Sequence, residues 1–541
     1  MDSQEKTKKK PKKKLAVLDF ETDPFKFGRV PKPFACDLYD GETHNMFWGK
    51  NCVEALAVFL ENSDTEYLIY AHNGGKFDFF FLLVEGYIEN PVRIINGRLV
   101  KAAMGKHELR DSYAIIPVPL KAYAKDEIDY GWFEVGERQK HKKVINEYLK
   151  SDCVYLYELV NEFVNRFGLK LTIGSTAMQK LNELHPFAKT NQSHDETFRP
   201  YYFGGRVECF KTGIHEGKFE VYDVNSMYPF VMKEYAHPTG NDYLITSNTR
   251  WFNKETGELN GIYKNKPYFI HFTGKNRGAL PTRTKTGLDF NISEGEFYAC
   301  GHEIKIALKH KLIDIQEIHS LCIPNKTIKF ETYVDTYVEE KIKCQKDNDK
   351  VGTIFAKLLL NSAYGKFGQN PNNYKDYLIR MTGNPIPSFN EGWQLFADYG
   401  AFEIWEKPSE SKSYFDVSVA ASITSAARSV LLDAIHNTKG LFYCDTDSLI
   451  CESFNGELDE HKLGAWKREA SGNNIAIAGK KLYALFDNNE CVKLATKGVR
   501  LEPNDIVRVA KGEIVLWENA APSFSLMGEA TFIKREVRRT I

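Results

Sequence analysis

The chain has 541 residues, of which 43% are hydrophobic and 13% aromatic, enough for several domains with sizeable cores. Its 72 basic and 72 acidic side chains cancel, so the net charge neither favours nor excludes nucleic acid as a partner. Ten cysteines without a C-x-x-C pair indicate reduced thiols, and we find no apolar run of the ~18 residues that a membrane span needs. We therefore expect neither a secreted disulfide-stabilised protein nor a membrane protein.

Residues 1–14 are polar and rich in lysine, which predicts a disordered basic tail. The lysine run from Lys8 to Lys14 is compatible with a nuclear localisation signal, with a flexible arm that touches phosphate and with a solubilising tail. The sequence leaves these alternatives open.

Carboxylates stand at three separate places in the N-terminal third of the chain. Asp19 and Glu21 share one face at the end of a predicted strand, and Asp78 precedes an apolar run. Tyr148 and Asp152 are i, i+4 neighbours on a predicted helix. Four such carboxylates can hold two metal ions, while a nearby tyrosine orients the water that hydrolyses a phosphodiester. Taken singly, each of these residues is more often structural.

A pair of glycines follows a predicted helical linker over residues 168–200. Gly204 and Gly205 are flanked by Tyr202 and Arg206. Paired glycines let the backbone approach a phosphate closely, and the aromatic and basic neighbours suit a nucleic-acid strand. A plain tight turn is the alternative interpretation.

Two acidic turns lie far apart in the rest of the chain. Asp223 ends an alternating predicted strand, whereas Asp445 and Asp447 lie near the tip of a predicted β-hairpin and, at the strand period of two, on the same face. If the strand pairs beside the hairpin, Asp223 joins Asp447 around two divalent ions, with Asp445 in support, as nucleotidyl transfer requires. For the hairpin alone, an ordinary acidic turn is the alternative.

A polar stripe occupies one face of a predicted helix between these turns. Lys357, Asn361 and Tyr364 are spaced i, i+4 and i+7, and the other faces are leucine and alanine. The stripe suits a triphosphate and a base, or else a solvated amphipathic face.

Together these three stretches resemble motifs A, B and C of family B DNA polymerases, D-x-x-S-h-Y-P, K-x-x-x-N-S-x-Y-G and Y-x-D-T-D-S, in the order that the family shows them. The resemblance implies a DNA-directed DNA polymerase that uses two Mg²⁺ per active site, with Mn²⁺ as a substitute. It implies Asp223, Asp445 and Asp447 as catalytic residues, and Asp223, Asp447 and the Val224 carbonyl as metal ligands. The nucleotide-binding residues that it implies are Val224, Tyr228, Lys341, Lys357, Asn361 and Tyr364.

Two tyrosines have distinct implied roles. Tyr228 would lie beneath the sugar, where a 2′-hydroxyl would clash, and Tyr364 would stack on the incoming base. The enzyme would therefore select deoxynucleotides over ribonucleotides.

The N-terminal carboxylates resemble the Exo I, Exo II and Exo III motifs of the 3′–5′ proofreading nuclease. The resemblance implies Asp19, Glu21, Asp78 and Asp152 as metal ligands and catalytic residues. Tyr148 and Lys121 would assist them, Lys121 through its similarity to the K-x-x-h motif of protein-primed polymerases.

Further matches imply contacts with DNA. Asn73 and Phe77 resemble the single-strand contacts of Exo II, and Ser112 resembles a single-strand motif that has Leu where this chain has Tyr113. Other motifs resemble Y-x-G-G, T-x-x-A-R and K-x-Y. The DNA-binding residues implied in all are Asn73, Phe77, Ser112, Tyr202, Gly204, Gly205, Thr424, Arg428, Lys481 and Tyr483.

The intervals from Tyr228 to Lys357 and from Tyr364 to Tyr443 are long enough to hold insertions with their own fold or function. They are placed like the two terminal-protein regions of protein-primed polymerases of bacteriophages and linear plasmids. The resemblance implies a terminal priming protein as a partner, beside primer-template DNA and deoxynucleotides, and strand displacement during synthesis. It also implies a monomer without membrane contact, in the cytoplasm of a host cell, or in the nucleus if the lysine run is a signal.

The implied fold is α/β and multidomain, with an RNase H-like exonuclease domain before a right-hand polymerase. The polymerase has an antiparallel-sheet palm, helical fingers, a small thumb and the two insertions. The boundaries that we predict are 1–14 basic tail, 15–190 exonuclease, 191–236 first part of the palm, 237–329 first insertion, 330–370 fingers, 371–414 second insertion, 415–500 second part of the palm and 501–541 thumb.

Three rival functions stay open at this point. The chain could extend ordinary nucleic-acid primers, with the insertions serving processivity or strand displacement. A nuclease without polymerase activity would leave the Lys357, Asn361 and Tyr364 stripe without a role. A non-catalytic clamp on nucleic acid would place bare aspartates in a DNA channel, where they repel phosphate unless metal fills them.

Overall fold

The computed structural model describes residues 13–187, 189–285, 287–400, 402–409, 414–524 and 530–540. The first strand begins at Lys14, so most of the predicted tail over 1–14, and with it most of the lysine run, lies outside the described residues.

The N-terminal part is a mixed sheet between two layers of helices. Its elements, in chain order, are β1 (Lys14–Thr22), β2 (Pro33–Tyr39), β3 (His44–Trp48), α1 (Cys52–Asn62), β4 (Tyr67–Ala71), α2 (Asp78–Val84), β5 (Glu89–Ile95), β6 (Arg98–Met104), β7 (His107–Asp111), α3 (Lys142–Phe167), α4 (Ile173–Leu184) and α5 (Gln192–Phe198). Strand β1 runs parallel to β4, and β4 runs parallel to β7.

The alternation along β1 decides which side chains reach which layer. Leu18 and Phe20 pack with α1 and α2, whereas Val17 packs with α3. Because successive side chains of a strand point to opposite faces, Asp19 and Glu21 share the phase of Val17 and face α3. The sequence of one strand thus aims two carboxylates at a helix that carries a third.

The remaining elements form the part of the chain after the glycine pair. In chain order they are β8 (Val207–Cys209), β9 (Gly213–Val224), α6 (Met227–Glu234), β10 (His237–Pro238), β11 (Tyr243–Thr246), β12 (Phe269–Asn276), β13 (Thr282–Thr284), β14 (Gly287–Asp289), β15 (Glu294–Cys300), α7 (Gly301–Lys309), β16 (Ile313–Pro324), β17 (Thr327–Ile328), α8 (Glu331–Lys346), α9 (Lys350–Phe367), β18 (Lys375–Met381), β19 (Gln394–Asp398), β20 (Phe402–Pro408), α10 (Val417–His436), β21 (Thr438–Asp445), β22 (Ser448–Phe454), β23 (Trp466–Gly479), β24 (Leu482–Asp487), β25 (Glu490–Thr496), α11 (Pro503–Lys511), β26 (Val515–Glu518) and β27 (Lys534–Val537).

The palm is an antiparallel sheet in the order β25-β24-β23-β9-β22-β21-β8. Residues of α6, α9 and α10 form one hydrophobic core with its strands. By length and composition α10 could cross a membrane, but 83% of its apolar window is buried inside the protein. Such burial is typical of a core helix.

The finger helices α8 and α9 form a helical hairpin beside the palm. The Asp349 side chain caps α9 by accepting a hydrogen bond from the Gly352 amide, 2.8 Å away. The Tyr333 hydroxyl donates to the Leu359 carbonyl at 2.8 Å and joins the two helices. The hairpin therefore holds the stripe of α9 at a fixed position over the palm.

The two insertions differ in what they pack against. The first forms a sheet in the order β11-β16-β12-β15, with α7 packed on α10. The second, β18 to β20, extends the N-terminal sheet, because β18 pairs with β5 with Tyr377 opposite Val92. The Asn90 side chain bonds both backbone groups of Ile379 at 2.9 Å. The second insertion, which the sequence places between the fingers and the palm, thus belongs to the same sheet as strands β1 to β7 of the N-terminal part.

The C-terminal part returns to the N-terminal part. Helix α11 packs on β23 and β24, and β26 pairs with β27. The Phe524 ring stacks on Phe80 with ring centroids 4.2 Å apart. The N-terminal sheet is therefore in contact with the later part of the chain at both the second insertion and the C-terminal part.

Candidate active sites

Two strand ends bring Asp223 and Asp447 together in the palm. Asp223 is the penultimate residue of β9, and Asp447 lies in the turn between β21 and β22. Ser448 pairs with Asp223, and the Val224 amide donates to the Asp447 carbonyl at 2.8 Å. The hydrogen bonding of the sheet thus places the two carboxylates side by side, as the sequence motifs predict.

The charges of these two carboxylates are poorly balanced by the protein around them. Burial, followed by the charge of Asp447, raises the pKa of Asp223 to about 7. Burial, followed by the charge of Asp445, raises the pKa of Asp447 to about 6. Like charges in a desolvated site favour protonation unless a cation replaces the proton. The pair therefore fits divalent cations, which prefer carboxylate oxygens.

Asp445 has a different partner. The Lys481 ammonium forms an ion pair with both oxygens of Asp445, 2.6 Å from Oδ1, and the Tyr443 hydroxyl donates to Oδ2 at 3.1 Å. Thr446, at φ 57°, reverses the chain before Asp447. The strand alternation from which a shared face of Asp445 and Asp447 was expected does not apply, because β21 ends at Asp445 and Asp447 lies in the turn. Lys481, which the sequence predicted to touch DNA, holds Asp445 in place, while the charge of Asp445 still raises the pKa of Asp447.

Lysines from the finger helices face the aspartates across a cavity of about 800 Å³. Burial, followed by the charges of Lys357 and Lys467, lowers the pKa of Lys341. Clustered ammonium groups that repel one another favour an anion between them. The predicted residues that line this cavity are Asp223, Val224, Tyr228, Lys341, Lys357, Asn361 and Asp447.

Tyr228 and Tyr364 lie against each other in this structure. Their rings are stacked with centroids 3.9 Å apart and planes 14° apart. Tyr228 is on α6 directly after the Asp223 turn, and Tyr364 is on the α9 stripe. The two residues with predicted roles at the sugar and the base therefore share one place beside the cavity.

Three charged residues of the palm escaped the sequence analysis. Lys467 lies opposite Asp223 in the β9–β23 pairing. Two residues later, the Glu469 carboxylate forms an ion pair with Lys493 at 2.6 Å. The charge of Glu469 also raises the pKa of Asp223. Lys467 Nζ lies 4.0 Å from Glu469 Oε1, so these two side chains are neighbours although a bulge in β23 leaves Glu469 without a partner in the pairing. No local sequence pattern indicates that β23 pairs with β9. The positions of Lys467, Glu469 and Lys493 beside Asp223 could therefore not be predicted from the sequence.

A second carboxylate cluster lies between β1 and α3. Ligand oxygens of Asp19, Glu21 and Asp152 are within 4.8 Å of one another. Asp78, at the start of α2, accepts a hydrogen bond from the Phe20 amide at 3.1 Å. The structure thus brings the four carboxylates of the three nuclease motifs to one place.

Burial dominates the electrostatics of this cluster. Burial, followed by the charge of Asp152, raises the pKa of Glu21 to about 8. Burial also raises the pKa of Asp78 to about 7 and, with the charges of Asp78 and Glu21, places that of Asp19 well above its ordinary range. As in the palm, the cluster fits divalent cations.

The lysine at this cluster is Lys125 and not Lys121. Lys125 Nζ lies 3.3 Å from Asp152 Oδ2 and 5.4 Å from the Tyr148 ring centroid. Lys121 is exposed in a short 3₁₀ turn over residues 120–122. The prediction of Lys121 as a catalytic residue is therefore wrong, because the chain turns back to the carboxylates four residues later. The Tyr148 hydroxyl lies 3.4 Å from that of Tyr130, which sequence did not single out.

Of the predicted single-strand contacts, Asn73 and Phe77 flank the 3₁₀ turn that leads into Asp78 at the start of α2, and Ser112 is buried. Asn73 has φ 63°, and its Oδ1 accepts from Arg98 Nη1 at 2.8 Å. Phe77 is half-buried and makes edge contacts with neighbouring aromatic rings. Ser112 is fully buried, and its hydroxyl donates to the Ala71 carbonyl at 3.3 Å. The prediction of direct DNA contact by Ser112 is therefore wrong.

Arg428 and Thr424 are likewise buried, although T-x-x-A-R implied that they touch DNA. Both guanidinium edges of Arg428 are used: Nε and Nη2 bind Glu303 at 2.8 and 2.6 Å. Nη1 donates to the carbonyls of Phe203 and Gly204 at 2.7 Å each. The Thr424 hydroxyl donates to its own helix. Arg428 therefore holds the glycine loop from beneath through the carbonyls of Phe203 and Gly204.

The glycine loop is tied to the turn that carries Asp447. The Thr446 amide donates to the Arg206 carbonyl at 2.7 Å. A Cβ on Gly205 would lie 2.6 Å from Thr446 Oγ1, so the close approach requires glycine. Tyr202 is half-buried, and Gly204 is exposed. Tyr483 is buried against Tyr443, with ring centroids 5.1 Å apart.

An antiparallel palm with paired aspartates beneath two finger helices defines a polymerase of the right-hand type. The fold is that of phi29 DNA polymerase in complex with primer-template DNA and incoming nucleotides, with a TM-score of 0.70 and 17% identity over 97% of this chain and 100% of that chain.

The sequence matches the family described as DNA polymerase type B, organellar and viral, over residues 119–415. It is 43% identical to the DNA-directed DNA polymerase of Enterobacteria phage PRD1, over 99% of this chain and 100% of the relative. It is 25% identical to the DNA polymerase of Streptococcus phage Cp-1, over 90% of this chain and 87% of that one. The chain belongs to the family B DNA polymerases of the protein-primed type, so the predicted family and the α/β multidomain fold are confirmed.

Proposed function

We propose that this polymerase replicates a protein-primed genome, with synthesis in the palm and 3′–5′ proofreading in the N-terminal sheet. The observation that carries the proposal is the meeting of Asp223 and Asp447 beneath Lys341 and Lys357. Carboxylates on one side and ammonium groups on the other match a nucleoside triphosphate with its metal ions.

In synthesis, the primer 3′-oxygen attacks the α-phosphate, and the bond from that phosphate to pyrophosphate breaks. Two Mg²⁺ held by Asp223, Asp447 and the Val224 carbonyl, or Mn²⁺ in their place, would lower the pKa of the hydroxyl and neutralise the leaving group. Lys341 and Lys357 bind the phosphates from the other side of the cavity. Asp445, held by Lys481, fixes the turn that carries Asp447.

Tyr228 and Tyr364 select deoxynucleotides over ribonucleotides. An incoming base replaces Tyr228 as the stacking partner of Tyr364, and Tyr228 then closes the space beneath the sugar. A 2′-hydroxyl has no room there, which favours deoxynucleotides. Asn361, one turn before Tyr364, contributes an amide to the same face.

In proofreading, Asp19, Glu21, Asp78 and Asp152 hold the metal ions, and Tyr148 orients the attacking water. Asn73 and Phe77 receive the single-stranded primer end beside them. Lys125 stabilises Asp152 and lies over the Tyr148 ring, so it positions both groups. The two sites work on one strand, and neither uses residues of the other.

The two insertions serve priming and strand displacement. The first packs on α10 of the palm, and the second extends the N-terminal sheet that carries carboxylates of the proposed proofreading site. A terminal protein that offers a hydroxyl in place of a primer end is the partner that they fit. We place the enzyme, as a monomer, in the cytoplasm of the host cell.

Extension of a singly primed circular template in Mg²⁺, without accessory proteins, tests the proposal. We expect the wild type to make products many times the circle's length, and Asp447→Asn or Asp223→Asn to make none. Asp487→Asn, an exposed aspartate on the same sheet, is the matched control and should behave as wild type. Synthesis by Asp447→Asn would contradict the palm assignment, while wild-type products that stop at the primer's 5′ end would contradict strand displacement.

A further inference from the structure

A group of metal-ligating side chains lies outside both carboxylate clusters, on the sheet of the first insertion. His271 is on β12, Glu296 on β15 and His319 on β16, and their ligand atoms are all within 4.8 Å of one another. His271 Nε2 lies 3.0 Å from Glu296 Oε2. Three neighbouring strands each supply one ligand.

A bulge in β16 brings His319 to this face. His271 pairs with Ser320 and Phe272 with Ile318, so His319 has no partner of its own in the pairing. In an unbroken strand His319 would point away from His271, into the layer where Phe272 and Ile318 are buried. The extra residue re-aims the imidazole, as bulges do near functional sites.

Neighbouring side chains orient both imidazoles. Tyr298 stacks on His271 with ring centroids 4.0 Å apart and planes 10° apart. The Thr273 hydroxyl lies 2.7 Å from Nε2 of His319. Side chains that fix the rotation of histidine rings are a regular feature of metal centres.

We propose that His271, Glu296 and His319 form a binding site for Zn²⁺ or a neighbouring divalent transition metal. Two imidazoles and one carboxylate are a ligand set of zinc, whereas Mg²⁺ prefers oxygen ligands alone. The site is open enough for an ion to reach it, since the side chains of His271, His319 and Glu296 are 18%, 29% and 62% exposed. A fourth position is left for water or for Glu317, whose Oε1 lies 3.9 Å from Nδ1 of His319.

A bound ion would cross-link three strands next to the glycine loop. Tyr298 contacts Tyr201 with ring centroids 5.2 Å apart, and the Tyr201 hydroxyl lies 3.5 Å from the Ser320 hydroxyl. Tyr201 immediately precedes the loop that begins at Tyr202. The ion would therefore stiffen the surface on which this loop rests, apart from any role in catalysis.

Titration of the full chain with Zn²⁺ by calorimetry, in excess Mg²⁺ to fill the carboxylate clusters, tests the site. We expect one equivalent of Zn²⁺ per wild-type chain and a loss of affinity of at least about tenfold in His271→Ala and in His319→Ala. Glu296→Gln, which keeps the side-chain shape, should weaken binding as well. Co²⁺ in place of Zn²⁺ should give visible absorption that the histidine variants lose.

His310→Ala is the matched control. His310 lies 2.7 Å from Asp433 and stacks on His436 at 4.4 Å, so it belongs to a group of two imidazoles and one carboxylate whose ligand atoms do not all come within 4.8 Å of one another. This variant should keep the Zn²⁺ equivalent. No stoichiometric Zn²⁺ on the wild type, or full binding by the His271→Ala/His319→Ala double variant, would overturn the proposal. Circular dichroism in EDTA shows that each variant is folded before it is compared.

Discussion

The two carboxylate clusters differ in how the protein balances their charge. In the palm, Lys481 forms an ion pair with Asp445, and Lys341, Lys357 and Lys467 surround the cavity above Asp223 and Asp447. At the N-terminal cluster the buried Glu21, Asp78 and Asp152 meet the half-buried Asp19, and Lys125 is the lysine that forms an ion pair there among the described residues. The palm therefore suits a ligand that carries its own negative charge. The N-terminal cluster has fewer cationic side chains to balance its carboxylates.

The largest effect should separate the two activities. Replacing Asp19 and Asp78 by alanine removes two ligands from the nuclease and none from the palm. We expect digestion of a single-stranded primer to fall by at least about 100-fold while extension of a matched primer is kept. Digestion that survives the double change would show that other carboxylates do the hydrolysis.

Loss of the ammonium beside Asp445 should damage the palm alone. Lys481→Ala leaves Asp445 as an uncompensated charge beside Asp447 and loosens the turn. Incorporation should fall by about 10- to 100-fold, with digestion unchanged. The exposed neighbour Lys480→Ala is the control, and an equal loss in that variant would reject the specific role of Lys481.

The lysine of the nuclease can be tested in the same way. Lys125→Ala should slow digestion about tenfold. The variant removes the ammonium group that forms an ion pair with Asp152 and lies over the Tyr148 ring. Lys121→Ala should leave digestion unchanged. The reverse result would restore the residue chosen from the sequence motif and reject the geometry.

The smallest effect concerns stability without metal. Glu21 has a pKa of about 8 in the folded chain and an ordinary carboxyl pKa when unfolded, so the folded state binds the proton more tightly. In EDTA, the contribution of this carboxyl to stability should therefore be fully present below its ordinary pKa and be lost as the pH rises towards 8. The midpoint of thermal unfolding should drop by about 2–4 °C for each kcal/mol lost. Mg²⁺, or Asp19→Asn with Asp78→Asn, should flatten this dependence, and an unchanged midpoint in EDTA would contradict it.

Local pattern predicted the core of both sites. The alternation of β1 put Asp19 and Glu21 on one face, and the helical spacing of α9 put Lys357, Asn361 and Tyr364 on one stripe. Both faces are formed by residues only a few positions apart in the chain. The period of a strand or a helix is enough to predict that such residues share a face.

Long-range pairing could not be predicted. Nothing near Tyr377 indicates that it pairs with Val92, and nothing near Lys467 indicates that it lies opposite Asp223. Arg428 looks in sequence like a cation for phosphate, yet its partner Glu303 lies in the first insertion. Motif resemblance identifies which residues matter, but burial and partners decide whether they touch DNA or hold the groups that do.

The most direct test of two separate sites is a labelled primer with a mismatched 3′ end, annealed to its template with deoxynucleotides and Mg²⁺. The wild type should first shorten the primer and then extend it to full length. Asp447→Asn should shorten it without extension, and Asp19→Ala with Asp78→Ala should leave the mismatch in place yet extend a matched primer. If either folded variant lost both activities together, the assignment of synthesis and proofreading to two independent carboxylate clusters would be contradicted.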